Sequence, residues 1–112
     1  MSVEETGAVD IVSKDREGRI ILTISDHLDW KHSDEHLTVL QEKISTYLRF
    51  LDSGEIFDKF PEARGRRILI QIMFHYKPEK GSAPFLETVK SRVESAGYGF
   101  RYEVFAATPF KT

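Results

Sequence analysis

The chain has no cysteine among its 112 residues, and this absence excludes several classes of site. Disulfide bonds, thiol nucleophiles and thiolate zinc sites all need that side chain, and a chain without disulfides fits a reducing compartment better than secretion. Residues 1–5 are acidic and lack the apolar stretch of a signal peptide. We therefore expect a cytoplasmic protein.

Long apolar runs and a strong net charge are absent as well. No run approaches the roughly 20 apolar residues that cross a bilayer. A formal net charge of -2 gives no electrostatic attraction to nucleic acid or to an anionic membrane, so we expect neither as a partner. The length is that of one domain. We predict a single domain over residues 1–112, with residues 1–7 and 108–112 as flexible tails.

Alternation of apolar and polar residues predicts four strands. Residues 8–12 and 19–25 flank a turn that ends in Gly18, which predicts a β-hairpin. Residues 67–76 are apolar on both faces over most of their length, as in a central strand. The last strand is predicted over residues 99–107.

A spacing of three and four residues predicts helices between these strands. The first begins after Ser33, the predicted N-cap, and ends before Gly54. Its polar residues, Lys43 among them, are predicted to face solvent. Its apolar stripe is Leu37, Leu40, Ile44, Tyr47, Leu48 and Leu51. A short helical turn follows over residues 55–60, and a second helix extends from Ser82 to Gly97.

This order of elements predicts the fold class. Right-handed crossovers would place both helices on one side of the sheet, so we predict an α+β fold, a two-layer sandwich with a mixed four-stranded sheet. The opposite face would carry four apolar residues, Ile21, Leu69, Met73 and Phe105. An exposed patch of this kind often marks a contact surface, although single exposed apolar residues are common. A homodimer or another protein partner on this face is one interpretation.

The residues with chemical potential gather between the second strand and the first helix. They are Asp26, His27, Asp29, Trp30, His32 and His36. Histidine and carboxylate side chains are ligands for zinc and similar metals. Against a metal site, a cap at Ser33 leaves His32 outside the helix, and the glutamate of the HExxH motif is missing. The alternative is a polar turn with solvated histidines. We predict no metal, no cofactor and no catalytic residue.

Two further features have alternative interpretations. Trp30 either packs the turn onto the helix or lines a shallow pocket. Arg64, Arg66 and Arg67 form the one basic cluster, which suits a phosphate or a nucleic-acid backbone. Since Glu62 is adjacent and the whole chain is acidic, we interpret this segment as a solvated loop.

Several segments resemble a family of small bacterial proteins that is known as a domain of unknown function. They are LTISDHLDW at 22–30, LQEKI at 40–44, YLRFLDSG at 47–54 and FRYEV at 100–104. The resemblance implies a bacterial, cytoplasmic, free-standing domain. It implies no reaction and no cofactor, so no site residue is transferred.

The function that the sequence favours is a non-enzymatic binding or interaction module that homodimerises through the exposed sheet face. The alternative is a small metal-dependent hydrolase or a ligand-binding protein that uses the junction from Asp26 to His36.

Overall fold

The computed structural model describes residues 11–104 and contains seven helices and strands in this range. They are β1 (Ile11–Lys14), β2 (Ile20–Asp26), α1 (Ser33–Asp52), α2 (Glu55–Lys59), β3 (Ile68–Phe74), α3 (Ala83–Ser95) and β4 (Gly99–Val104). Short 3-10 turns precede β3 and α3. The α+β class and the mixed four-stranded sheet are confirmed. None of the helices in this range is long and apolar enough to cross a membrane.

The strands follow one another across the sheet in the order β1-β2-β3-β4. β1 and β2 form the antiparallel hairpin, whereas β2, β3 and β4 run parallel. Leu22 pairs with Ile70, and Ile70 pairs with Phe100, so these three residues form one row across the sheet. Since parallel strands end at the same edge, the loop that follows β2 lies beside the loop that follows β3.

One hydrophobic core joins one face of the sheet to the helices. Alternate residues of β2 and β3 are buried there together with the apolar stripes of α1 and α3. Its fully buried members include Leu22, Ile24, Leu40, Ile44, Tyr47, Ile56, Ile70, Ile72, Phe74 and Val93. Burial of each such side chain contributes about 1.5–3 kcal/mol before the entropy of ordering is counted. This core packs α1 and α3 against the sheet.

The opposite face of the sheet is divided by a polar row. Gln71 donates a hydrogen bond to Thr23 Oγ1 (3.2 Å) and accepts one from Arg101 Nε (2.6 Å). This row separates Leu69 from Met73, which are both half-buried. Of the other residues predicted to form an interface, Ile21 is only 4% exposed, and Phe105 lies outside the described residues. The three described residues therefore do not form a continuous exposed apolar patch.

The start of α1 corrects the prediction that Ser33 is the N-cap. The helix begins at Ser33, and the carbonyl oxygen of His32 accepts the first helical hydrogen bond, from the His36 amide (3.0 Å). Ser33 Oγ lies 3.0 Å from the Trp30 carbonyl oxygen and 2.6 Å from Glu79 Oε1. Its hydroxyl is directed at these acceptors, and no side-chain cap is formed. The predicted stop at Gly54 is confirmed, with φ at 82°.

Lys43 was predicted to face solvent, and this prediction was wrong. The side chain lies on the buried side of α1 and is 0% exposed. Its Nζ atom lies 5.6 Å from the centroid of the Tyr47 ring, in the geometry of a cation–π contact. A long aliphatic stem allows lysine to occupy such a position, which a two-class apolar and polar pattern does not reveal.

Gly18 closes the hairpin turn, and its replacement tests the turn. Its φ is 82°, and an added Cβ would lie 2.7 Å from Arg66 Nη1. We expect Gly18→Ala to lower the free energy of unfolding by about 1–2 kcal/mol, because alanine is strained in this conformation. Urea unfolding followed by circular dichroism measures the change. Gly81→Ala is the matched control, since nothing lies within 4 Å of its added Cβ. Equal stability of the two variants would contradict the prediction.

Candidate functional site

The junction between β2 and α1 holds a buried aspartate–histidine pair. Asp26 is the last residue of β2, and its carbonyl oxygen accepts a hydrogen bond from the His75 amide (2.8 Å), which continues the pairing of β2 with β3. His36 lies in the first turns of α1. The Asp26 side chain is 0% exposed and that of His36 is 1% exposed. Strand pairing and helix position together bring the two side chains into contact across ten residues of sequence.

Both nitrogens of the His36 ring have partners. Nδ1 lies 3.0 Å from the Asp29 carbonyl oxygen, and Nε2 lies 2.5 Å from Asp26 Oδ2. Because a carbonyl oxygen only accepts, Nδ1 must carry a proton. A second proton must then lie between Nε2 and Oδ2. The pair is electrically neutral as a whole, either as imidazolium and carboxylate or as imidazole and carboxylic acid.

Burial raises the pKa of the Asp26 carboxyl group above its usual value of 3.8. Loss of hydration is the largest influence, because it disfavours the charged form. The hydrogen bond and charge of His36 act in the opposite direction, as do the Leu28 amide (3.1 Å from Oδ1) and the charge of His27. The net direction is upward, so the Asp26 carboxyl group keeps its proton to a higher pH in the folded protein than in the unfolded chain.

Trp30 covers this pair. Its ring stacks on the His36 ring with the centroids 3.8 Å apart and the planes at 26°, and it lies 6.0 Å from the Phe74 ring. Trp30 Nε1 also donates a hydrogen bond to the Tyr76 carbonyl oxygen (3.2 Å). Trp30 thus packs the junction onto the helix through His36, and it ties the junction to the loop that follows β3.

The remaining candidate residues surround an open cavity beside the pair. Its volume is about 340 Å³, and its lining is His27, Leu28, Asp29, His32, Glu35, His36 and Val39. His27, Asp29 and His32 are exposed, and Asp29 Oδ1 accepts a hydrogen bond from the Lys31 amide (3.1 Å). Across residues 11–104, no group of three or more histidine and acidic side chains is arranged to hold a metal ion.

The partners from the loop after β3 were missed by the sequence analysis. Tyr76 and Glu79 each contact the junction across 46 residues of sequence. The available signal was the parallel pairing of β2 with β3, which brings the two loops to one edge of the sheet. The alternation of apolar and polar residues does not fix the strand order, so the sequence pattern alone does not bring the two loops together.

The comparisons with known proteins bear on the chain as a whole. A family model described as "Family of unknown function (DUF6572)" matches residues 1–106. The chain belongs to this family. Comparisons with curated proteins and with solved structures gave no match. The resemblance seen in the sequence is thereby confirmed as membership of a family of unknown function, and DUF6572 membership assigns no reaction to the junction.

The geometry limits what this site can do chemically. A general acid or base must reach the atom that gains or loses the proton. In this DUF6572 chain, both ring nitrogens of His36 already contact protein atoms, and Trp30 lies over the ring. As arranged, the pair positions the start of α1 and holds the turn of residues 27–32 against the sheet.

Asp26→Asn tests the protonation of the pair. The pKa of Asp26 is raised in the folded state, so the protonated carboxyl group contributes to stability. This contribution is complete below the pKa of the unfolded chain and is lost as the pH rises through the pKa of the folded protein. Asparagine keeps an N–H donor toward His36 Nε2 and does not titrate. Above about pH 4, we expect the free energy of unfolding of the native protein to fall relative to that of the Asp26→Asn variant. The fall should be at most about 1.4 kcal/mol per pH unit.

Urea unfolding over a pH series measures this difference. Asp29→Asn serves as the control, because it removes an exposed carboxylate from the same turn. A difference between native protein and Asp26→Asn that stays constant with pH would show that folding does not raise the pKa of Asp26.

Proposed function

We propose that the chain is a non-enzymatic interaction module that forms a homodimer through the open edge of β4. The Asp26–His36 pair supports the non-enzymatic part of this proposal, because both ring nitrogens of His36 have protein partners and Trp30 covers the ring. We do not place the contact on the opposite face of the sheet, because a polar row interrupts the apolar residues there. The observation that carries the proposal is the self-complementary sequence of β4.

β4 is an edge strand with apolar side chains beside its free edge. Among the described residues it pairs with β3 alone, so its outer N–H and C=O groups form a template for another strand. Tyr102 is 46% exposed and Val104 is 42% exposed. Together with Tyr76, they are the exposed large hydrophobic residues within 12–104. Extended segments add to such edges in many protein complexes.

Two copies of β4 match each other in antiparallel orientation. A two-fold axis at Tyr102 places Arg101 opposite the partner subunit's Glu103, and it places Phe100 opposite the partner subunit's Val104. The opposite charges then face each other on one side of the joined sheet, and the apolar residues face each other on the helix side. Within one chain, Arg101 Nε and Glu103 Oε2 are 4.0 Å apart, at the limit of an ion pair. A contact of this kind is closed and isologous.

The strength of this contact follows from the number of cross-strand pairs. Each favourable pair contributes about 0.2–1 kcal/mol relative to alanine, and main-chain hydrogen bonds add to this. The contact involves one short strand from each copy, so it is small beside a standard interface. We therefore expect a dimer with a dissociation constant in about the micromolar range or weaker.

Charge reversal tests the proposed pairing. In Glu103→Arg, both cross-strand charge pairs become repulsive, and we expect the dissociation constant to rise about tenfold or more. Arg101→Glu should act in the same way. The double variant Arg101→Glu/Glu103→Arg restores opposite charges and should restore association. Sedimentation velocity over a concentration series measures all four proteins.

Two controls separate association from folding. Arg101 also donates to Gln71, so circular dichroism must show that the Arg101→Glu variant remains folded. Glu87→Arg carries the same charge change at an exposed position of α3 and should associate like the native chain. A native chain that sediments as a monomer at every concentration, or a double variant no better than the single variants, would contradict the proposal.

A further inference from the structure

Three arginines meet at the edge of the sheet opposite the Asp26–His36 pair. Arg19 precedes β2, and Arg66 and Arg67 precede β3. Because β2, β3 and β4 run parallel, their amino ends lie together, and the arginines line one cleft despite their separation in sequence. The cleft has a volume of about 620 Å³. This volume lies within the range of small-molecule sites, about 300–1,000 Å³.

The three guanidinium groups differ in their existing partners. Arg19 is paired with Asp15 at 2.7 Å and with Glu17 at 3.4 Å. Arg66 donates to the carbonyl oxygens of Glu62 (3.0 Å) and Gly18 (3.1 Å), so backbone atoms orient it without neutralising its charge. The Arg67 side chain is exposed and makes no hydrogen bond or ion pair to the described residues.

The turn at Gly18 holds Arg66 in a fixed orientation. Nη1 of Arg66 occupies the space that a Cβ on Gly18 would need, since the two positions are 2.7 Å apart. An oriented guanidinium loses less side-chain entropy when it binds a ligand, and its planar fork matches the oxygens of a phosphate group. The guanidinium group of Arg66 is therefore preorganised for anion binding.

The rest of the cleft lining includes aromatic residues and glycines. Phe57 and Tyr98 line it together with Gly97 and Gly99, and Glu94 is the one acidic residue in the described lining. The Tyr98 hydroxyl donates to Asp52 (3.0 Å), which fixes its ring. Because Asp15 and Glu17 already neutralise Arg19, the charges that remain in the lining are those of Arg66 and Arg67 against Glu94. This excess of positive charge favours an anionic group, and the aromatic rings offer a surface for an apolar or planar part of the same ligand.

We propose that this cleft binds the phosphate group of a small phosphorylated molecule, with Arg66 and Arg67 as its main contacts. A nucleic-acid backbone has the same chemical group, but the net charge of -2 on the whole chain opposes a long polyanion. The cleft lies at the amino end of β4, and its use does not depend on dimerisation through Tyr102.

Nuclear magnetic resonance titration of the full chain tests the site. The probes are inorganic pyrophosphate, and adenosine monophosphate compared with adenosine, with sodium chloride at matched ionic strength. We expect both phosphates to shift the amide signals of Gly97 and Gly99, and adenosine to bind more weakly than its monophosphate. Arg67→Gln should weaken phosphate binding about tenfold, because it removes a charged donor. Arg49 is an exposed residue in the last turn of α1 that does not line the cleft, so Arg49→Gln should leave binding unchanged.

Several results would overturn the proposal. They are the absence of shifts at millimolar pyrophosphate, equal affinity for adenosine and its monophosphate, and equal weakening in Arg67→Gln and Arg49→Gln. A single-stranded oligonucleotide that binds more tightly than pyrophosphate would also overturn it, since the ligand would then be a polyanion. Because Arg67 is exposed, its substitution tests the site without removing a buried contact.

Discussion

The contact between Asp26 and His36 determines how the sheet and the first helix meet. Two titratable side chains lose their hydration there, which is costly unless each polar atom finds a partner. The Leu28 amide, the Asp29 carbonyl oxygen and the pair itself supply those partners. The turn between the two residues is therefore held at both ends. Trp30 then closes the junction and connects it to the loop after β3.

Local patterns predicted the elements of this fold, and tertiary contacts decided what they left open. The alternation of Ile20, Leu22 and Ile24 depends on neighbours two residues away, so it correctly predicted a strand and its buried face. The Ser33 prediction failed because Glu79 arrives from a distant loop and competes for the hydroxyl. The burial of His36 was likewise not predictable, since it requires the end of β2, the start of α1 and the ring of Trp30 to coincide.

The two ends of the parallel strands have opposite characters. At the carboxyl end, the polar side chains Asp26 and His36 are satisfied by one another and by the backbone beneath an aromatic ring. At the amino end, Arg67 makes no such contact within the described chain, and Arg66 is held only by carbonyl oxygens. Residue types alone favour a binding site at the histidine-rich end. Burial and pairing of the side chains favour a binding site at the arginine-lined end.

The burial of both Asp26 and His36 has a consequence for how the family can vary. Loss of one partner leaves a polar group without hydration or a hydrogen bond, whereas replacement of both by apolar residues of similar volume can be nearly neutral. Positions 26 and 36 should therefore change together among DUF6572 sequences, from a polar pair to an apolar pair. We therefore expect a change at one position to persist only with a matching change at the other, although the two residues are ten positions apart in the chain.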